Sequence, residues 1–197
     1  MFNAFYDERR LTPSLGYIFN DRWLDPCESL VSILWKFERV NALPGHVIAR
    51  LMGPNIDPYE GVVPQPDTID IGRLHATLGV RTAVLHMALQ QPSQRRRYSP
   101  IFRHCRRCMT RGYHSVLHQM ECVRTCPAHH RQLEIACLRC GYEAPCVVNV
   151  RLLESPYRCA ECGKSYGGGG WSPDAPRPMK AEFRKAFTRR YFERHLG

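Results

Sequence analysis

Four pairs of side chains able to ligate a metal stand in the second half of the chain. They are Cys105-x2-Cys108, Cys126-x2-His129, Cys137-x2-Cys140 and Cys159-x2-Cys162. Seventeen residues separate the first pair from the second, and eighteen separate the third from the fourth. Zinc takes four soft or borderline donors in a tetrahedron, and a two-residue gap sets two sulfurs about one tetrahedral edge apart. Two such turns facing each other close a site, and the intervening length admits a hairpin or a short helix. Gly141 and Gly163 follow the second cysteine of their pairs, where such turns often need a positive φ. The doubled spacing predicts two structural zinc ions. His130 competes with His129 for the fourth position of the first site, but the gap after Cys126 favours His129; His114 and His118 also lie near in sequence. A site closed by four protein ligands leaves no position for water, which argues against a catalytic zinc. Neither an H-E-x-x-H nor a zinc-deaminase pattern occurs. Redox or nucleophilic cysteines are the weaker reading.

The chain has 197 residues and ten cysteines. Disulfide scaffolds are usually small and secreted. The start, MFNAFYDERRL, lacks an apolar export segment, so a cytoplasmic protein is expected, and no stretch reaches the roughly 20 apolar residues of a membrane span. Cys27, Cys122 and Cys146 are left over and are expected to pack as small buried hydrophobes. The net charge of +10 is unevenly placed: residues 1–94 carry 8 Lys and Arg against 10 Asp and Glu, and residues 95–197 carry 20 against 8. A basic excess confined to the cysteine-rich half points to a nucleic-acid partner, with a solubilising surface as the plain alternative. Arg95, Arg96, Arg97, Arg103, Arg106 and Arg107 cluster beside the first site and are the candidate contacts to nucleic-acid phosphates. Arg111, Arg124, Arg131 and Arg139 extend that patch.

The elements that position these residues are read as follows. Residues 1–24 form an aromatic-bearing arm, and residues 25–94 a small helical domain. Asp25 caps a first helix with Pro26 at its first position and Glu28 returning as in a capping box; Leu30, Ile33, Leu34 and Phe37 share its inner face, and Asn41 ends it. A second helix runs from Pro44 to Met52, and four prolines between 54 and 66 mark a loop. Two apolar stripes over Thr68–Gln90, interrupted at Gly79, have the helix-turn-helix layout. Thr82 would cap its second helix, which bears Arg81, His86 and Gln90 as candidate base readers, though its apolar content suits a core helix equally. Residues 95–166 form the double zinc-binding domain, 167–178 a Gly- and Pro-rich linker hinged at Gly167–Gly170, and 179–197 a basic C-terminal helix. Phe183, Phe187 and Tyr191 make one stripe on that helix, which either docks on the fingers or meets a partner. The fold class expected is mainly α with small zinc-ribbon β elements.

The segment from Phe102 to Gly141 resembles the zinc-binding signature of the TniQ family of transposon target-selection proteins. Cys105, Cys108, Tyr113, His114, His118, Gln119, Cys126, His129, Leu133, Cys137, Cys140 and Gly141 carry the likeness, with His118 standing where the family usually has Trp. Glu28-Ser29-Leu30 and Asn41-Ala42-Leu43 are similar to the family's N-terminal motifs, and the basic tail after 171 has no counterpart. The resemblance implies helix-turn-helix and zinc-ribbon modules that couple a target-recognition complex to a AAA+ ATPase and a transposase. Some TniQ proteins bind target DNA directly and others ride on an RNA-guided CRISPR effector; none is itself the recombinase. The expected function is therefore a non-catalytic adaptor in DNA transposition, with nucleic acid and a AAA+ ATPase as partners and a homodimer possible. The alternative is a stand-alone zinc-finger, helix-turn-helix transcription regulator.

Overall fold

A computed structural model of the chain describes residues 16–93, 97–175 and 178–195. Its helices are α1 (Leu30–Asn41), α2 (Gly45–Leu51), α3 (Ile71–Leu78), α4 (Thr82–Ala88), α5 (Arg106–Thr110), α6 (Val150–Leu153) and α7 (Ala181–His195). Single 3-10 turns lie at Asp21–Trp23 and Val116–Gln119. The fold is mainly helical. The expected ribbon β elements reduce, among the described residues, to isolated bridges such as His104 with Glu134 and Thr125 with Gln132.

The first helix starts later than its sequence suggests. Ser29, not Asp25, is the N-cap, and its hydroxyl accepts from the Ser32 N–H at 3.3 Å. Pro26 and Cys27 form a turn, with Cys27 left-handed at φ 58°. The Asp25–Glu28 pairing persists within that turn, the Asp25 N–H donating to Glu28 Oε2 at 3.0 Å. The shift has a tertiary cause: the Ser29 N–H donates to His114 O at 2.8 Å and Glu28 pairs with Ser115, so the finger claims the backbone that a longer helix would use.

Sequence periodicity gives α1 one apolar face, but the structure buries every residue from Leu30 to Phe37. A helix covered all round belongs at the centre of a core. Trp35 stacks near Phe102 and Tyr157, and its Nε1 donates to Leu152 O at 2.7 Å. Tyr17, Phe19 and Trp23 of the arm close over Phe37, while residues 1–15 of that arm lie outside the described residues. Lys36 is 2% exposed, with its Nζ 2.6 Å from Glu28 Oε1 and donating to Trp23 O.

Packing crosses the composition change near residue 95. One apolar cluster joins α1–α4 to Cys137, Cys146, Val148, Leu152, Tyr157 and Cys159. Asn149 caps α6, and Glu154 accepts from the Gly45 N–H at 3.0 Å, so a carboxylate from the second half sits at the start of α2. A second cluster joins Cys27 to the first finger and to Phe187 and Tyr191 of α7. Within the glycine run, Gly167 is packed tightly against α5, while Gly168 and Gly169 are exposed. A Cβ on Gly167 would fall 2.7 Å from Arg106 O and collide with the Thr110 backbone, and Thr110 Oγ1 donates to Gly167 O.

Replacing Lys36 by Met leaves Glu28 buried without its counter-charge, an expected loss of about 3–5 kcal/mol at neutral pH. Burial already raises the Glu28 carboxyl above its ordinary value against the pull of Lys36. A folded value above the unfolded one means stability falls as pH rises between the two. The deficit of Lys36→Met in urea unfolding should therefore shrink on acidification towards the ordinary carboxylate range, and Glu28→Gln in the same background should recover part of it at neutral pH.

Candidate metal centres

The eight ligand candidates converge into two groups. Cys105, Cys108, Cys126 and His129 form one and Cys137, Cys140, Cys159 and Cys162 the other, the donor atoms of each lying within 4.8 Å of one another. Cys108 Sγ stands 3.6 Å from Cys126 Sγ, and His129 Nδ1 lies 3.6, 3.3 and 3.5 Å from the sulfurs of Cys105, Cys108 and Cys126. In the second group Cys137 Sγ is 3.6 Å from Cys162 Sγ and Cys140 Sγ 3.7 Å from Cys159 Sγ. A disulfide needs about 2.05 Å. Metal–sulfur bonds of about 2.3 Å give tetrahedral edges near 3.8 Å, which these spacings approach. All the cysteines are free. Each group could hold one metal ion.

Three of the four pairs share one backbone design. The N–H of Cys126, Cys137 and Cys159 donates to the carbonyl five residues on (Arg131, Tyr142 and Lys164), and their own carbonyls accept from His130, Gly141 and Gly163. The residue four past each cysteine is left-handed: Gly141 at φ 74°, Gly163 at 69° and His130 at 53°. This turn separates His129 from His130. His130 occupies the glycine position of its knuckle and points outward, exposed, while His129 turns in. The fourth pair differs, because Cys105 caps the short helix α5 that carries Cys108.

Charge adds a second argument. Burial pushes the Cys108 thiol well up, and the hydrogen bonds of Cys105 and Cys126 push it further. Four ionisable donors at one point can all be deprotonated only if a cation shares the site. The neighbouring histidines are not ligands. Burial lowers His114, takes His118 down to about 3 and His104 down to about 4, so all three are neutral rings. His114 Nδ1 pairs with Ser29 Oγ at 2.7 Å, its Nε2 lies 2.8 Å from Arg103 O, and Tyr113 Oη donates to Pro26 O at 2.7 Å. These residues bind the first finger to the start of α1. No pattern of spacing exposes that role, since their partners lie some 80 residues away in the chain.

The arginine candidates separate. Arg95 and Arg96 lie outside the described residues. Arg97, Arg106 and Arg107 are exposed, as are Arg124, Arg131 and Arg139. Arg103 is turned inward: Nη1 donates to Met120 O at 2.7 Å and Nη2 to Val123 O at 2.6 Å, and burial lowers its pKa. It braces the first finger. Arg111 Nη2 reaches Pro178 O at 2.7 Å. Gln90, expected among the base readers, is buried and donates to Cys146 Sγ at 3.2 Å, whereas Arg81 and His86 are exposed. Arg81, not Thr82, holds the cap position of α4, with no side-chain cap bond. Of the leftover cysteines, Cys27 and Cys146 are buried and Cys122 is exposed. The aromatic stripe of α7 docks on the first centre: Phe187 lies 5.1 Å from Tyr113 and Phe183 5.0 Å from His129 between ring centroids. Among the described residues no helix is long and apolar enough to cross a membrane.

No protein-family model matches the chain, and no curated protein matches it.

Substitution of His129 by Ala should remove one metal equivalent per chain in elemental analysis, while His130→Ala should keep both. His130→Gly should keep both and gain up to about 1 kcal/mol in chemical unfolding, because glycine takes the left-handed position without a steric cost.

Proposed function

We propose that this chain is a two-zinc, non-catalytic adaptor that associates with nucleic acid, in the manner of the TniQ proteins its finger signature resembles. The observation that carries this reading is the convergence of four protein donors in each group: three cysteine sulfurs with an imidazole nitrogen in one, four cysteine sulfurs in the other. Such donor sets favour zinc over hard cations, and a site without an open position supports structure rather than turnover. When bound, zinc supplies charge compensation for the thiolates and a crosslink between the turns. The protein's own residues do the remainder. His129 completes the first site, Phe183 covers it, and α5 and three knuckles aim the sulfurs inward.

The exposed cations around these sites support a phosphate-binding role. Arg106, Arg107, Arg124, Arg131 and Arg139 all reach solvent. The pair α3 and α4, separated by residues 79–81, is read as the helix-turn-helix unit. With Gln90 buried, only Arg81 and His86 of its candidate base readers are exposed, which favours backbone contact over sequence readout and so the adaptor over a stand-alone regulator. The partners in this reading are DNA or a guide-RNA complex and a AAA+ ATPase, in the cytoplasm, with the transposase as the downstream enzyme; self-association into a homodimer is compatible with it.

Purified protein should contain two zinc ions per chain. A strong chelator should abolish the near-UV CD of the finger region, since zinc binding of order 10 kcal/mol per site is folding energy for a segment held by isolated bridges. Nucleic-acid affinity should depend strongly on salt and little on sequence, and a AAA+ transposition ATPase should co-purify with the tagged chain. Zinc-free folded protein, or sequence-specific binding by the chain alone, would overturn the assignment.

A further inference from the structure

Between the two metal centres lies a small pocket of about 110 Å³ that the finger signature does not explain. Arg106 from α5, Arg139 from the third knuckle turn and Lys164 beside the fourth line it. These three cations are exposed and come from segments far apart in sequence, and among the described residues no ion pair engages any of them. The wall includes His104, which is 2% exposed and lies tilted against Tyr166 with 4.3 Å between ring centroids, and its Nδ1 has no hydrogen-bond partner. One carboxylate, Glu134, also lines the pocket, its Oε2 3.7 Å from His104 Nε2 and likewise without a hydrogen-bond partner. Three guanidinium or ammonium groups thus face one carboxylate and Cys137, a member of the second ligand group, across a space of the size of a single tetrahedral anion.

We infer that this pocket holds one backbone phosphate of a nucleic-acid strand, with Arg106, Arg139 and Lys164 converging on its oxygens. The inference rests on the nucleic-acid reading above and assigns it a place. Charge-assisted bonds from arginine to phosphate are the strong kind, and guanidinium forks suit the geometry. Glu134 works against the anion, and this gives the site a signature of opposite signs. Removing the cations weakens binding, while removing the carboxylate strengthens it. A cationic or purely apolar ligand would show the reverse or no response.

The test measures binding of fluorescent duplex DNA and of single-stranded RNA to the zinc-loaded chain over a salt series, with inorganic phosphate as competitor. Arg106→Ala/Arg139→Ala/Lys164→Ala should weaken binding roughly tenfold or more. Because the three cations share one phosphate, the slope of log K against log salt should fall by about 0.9 on duplex DNA, or about 0.7 on single strands, rather than three times that. Glu134→Gln, a nearly isosteric change that keeps the pocket, should tighten binding. Metal content of two ions per chain confirms that each variant is folded. Larger loss for RNA than for DNA, or the converse, identifies the strand class, whereas inorganic phosphate binding that the triple variant loses while its strand affinity stays at the wild-type value would show a free-anion site and overturn the strand assignment. Wild-type affinity and slope in the triple variant, or weaker binding by Glu134→Gln, overturns the pocket while leaving the nucleic-acid reading intact. Absence of any nucleic-acid binding by the wild-type chain overturns both.

Discussion

Four donor side chains brought to one point, twice, are the constraint from which the second half of this protein takes its shape. From residue 97 to 175 the described chain has only two short helices, one 3-10 turn and scattered bridges, so no sheet or bundle supports its loops. A segment of that kind loses conformational entropy on ordering without a ladder of hydrogen bonds to offset it. The ligand groups take over that task. Each joins turns some twenty residues apart, and the knuckle hydrogen bonds of Cys126, Cys137 and Cys159 hold the sulfurs in their turns.

The two groups are not equivalent in their surroundings. The first is sealed: Cys105, Cys108 and Cys126 are buried, α7 lays Phe183 and Phe187 over it, and Cys27 joins it from the N-terminal turn. The second is half open, with Cys140 exposed and Cys137 and Cys159 built into the same core as Trp35. Loss of the first would release α7 and the start of α1. Loss of the second would loosen the wall of the helical core. The metal sites and the apolar cores are thus one cooperative structure, and the polar stitches of Ser29, His114 and Tyr113 transmit order between them.

Function on this view lies in a surface held in shape. Both ligand groups are closed, and the neutral histidines beside the first are spent on structure. Outward from them stand exposed cations, among them Arg106 and Arg107 on α5 and Arg139 within a knuckle. Arg139 sits inside one C-x2-C turn and Lys164 just past another, so metal binding and the placement of these cations are coupled.

Sequence alone was enough to name the eight side chains that gather into two groups. Doubled C-x2-C spacing encodes local turns, and local turns are decided by a few neighbouring residues, which is why Cys105 through Cys162 could be named in advance. The order of α1 to α4 was legible for the same reason, from periodicity, proline and glycine. The choice of His129 over His130 was legible too, and the left-handed turn that Gly141 and Gly163 share with His130 explains it. Tertiary structure alone decided the rest. It moved the cap of α1 from Asp25 to Ser29 because a finger some 85 residues away competes for that backbone. It buried α1 all round from Leu30 to Phe37, turned Arg103 and Gln90 inward, packed Gly167 against Thr110, and brought Arg106, Arg139 and Lys164 to one pocket. Each of these depends on which distant surfaces meet. Contact between distant segments is set by summed burial and packing over the whole chain, and no local pattern of residues carries that information.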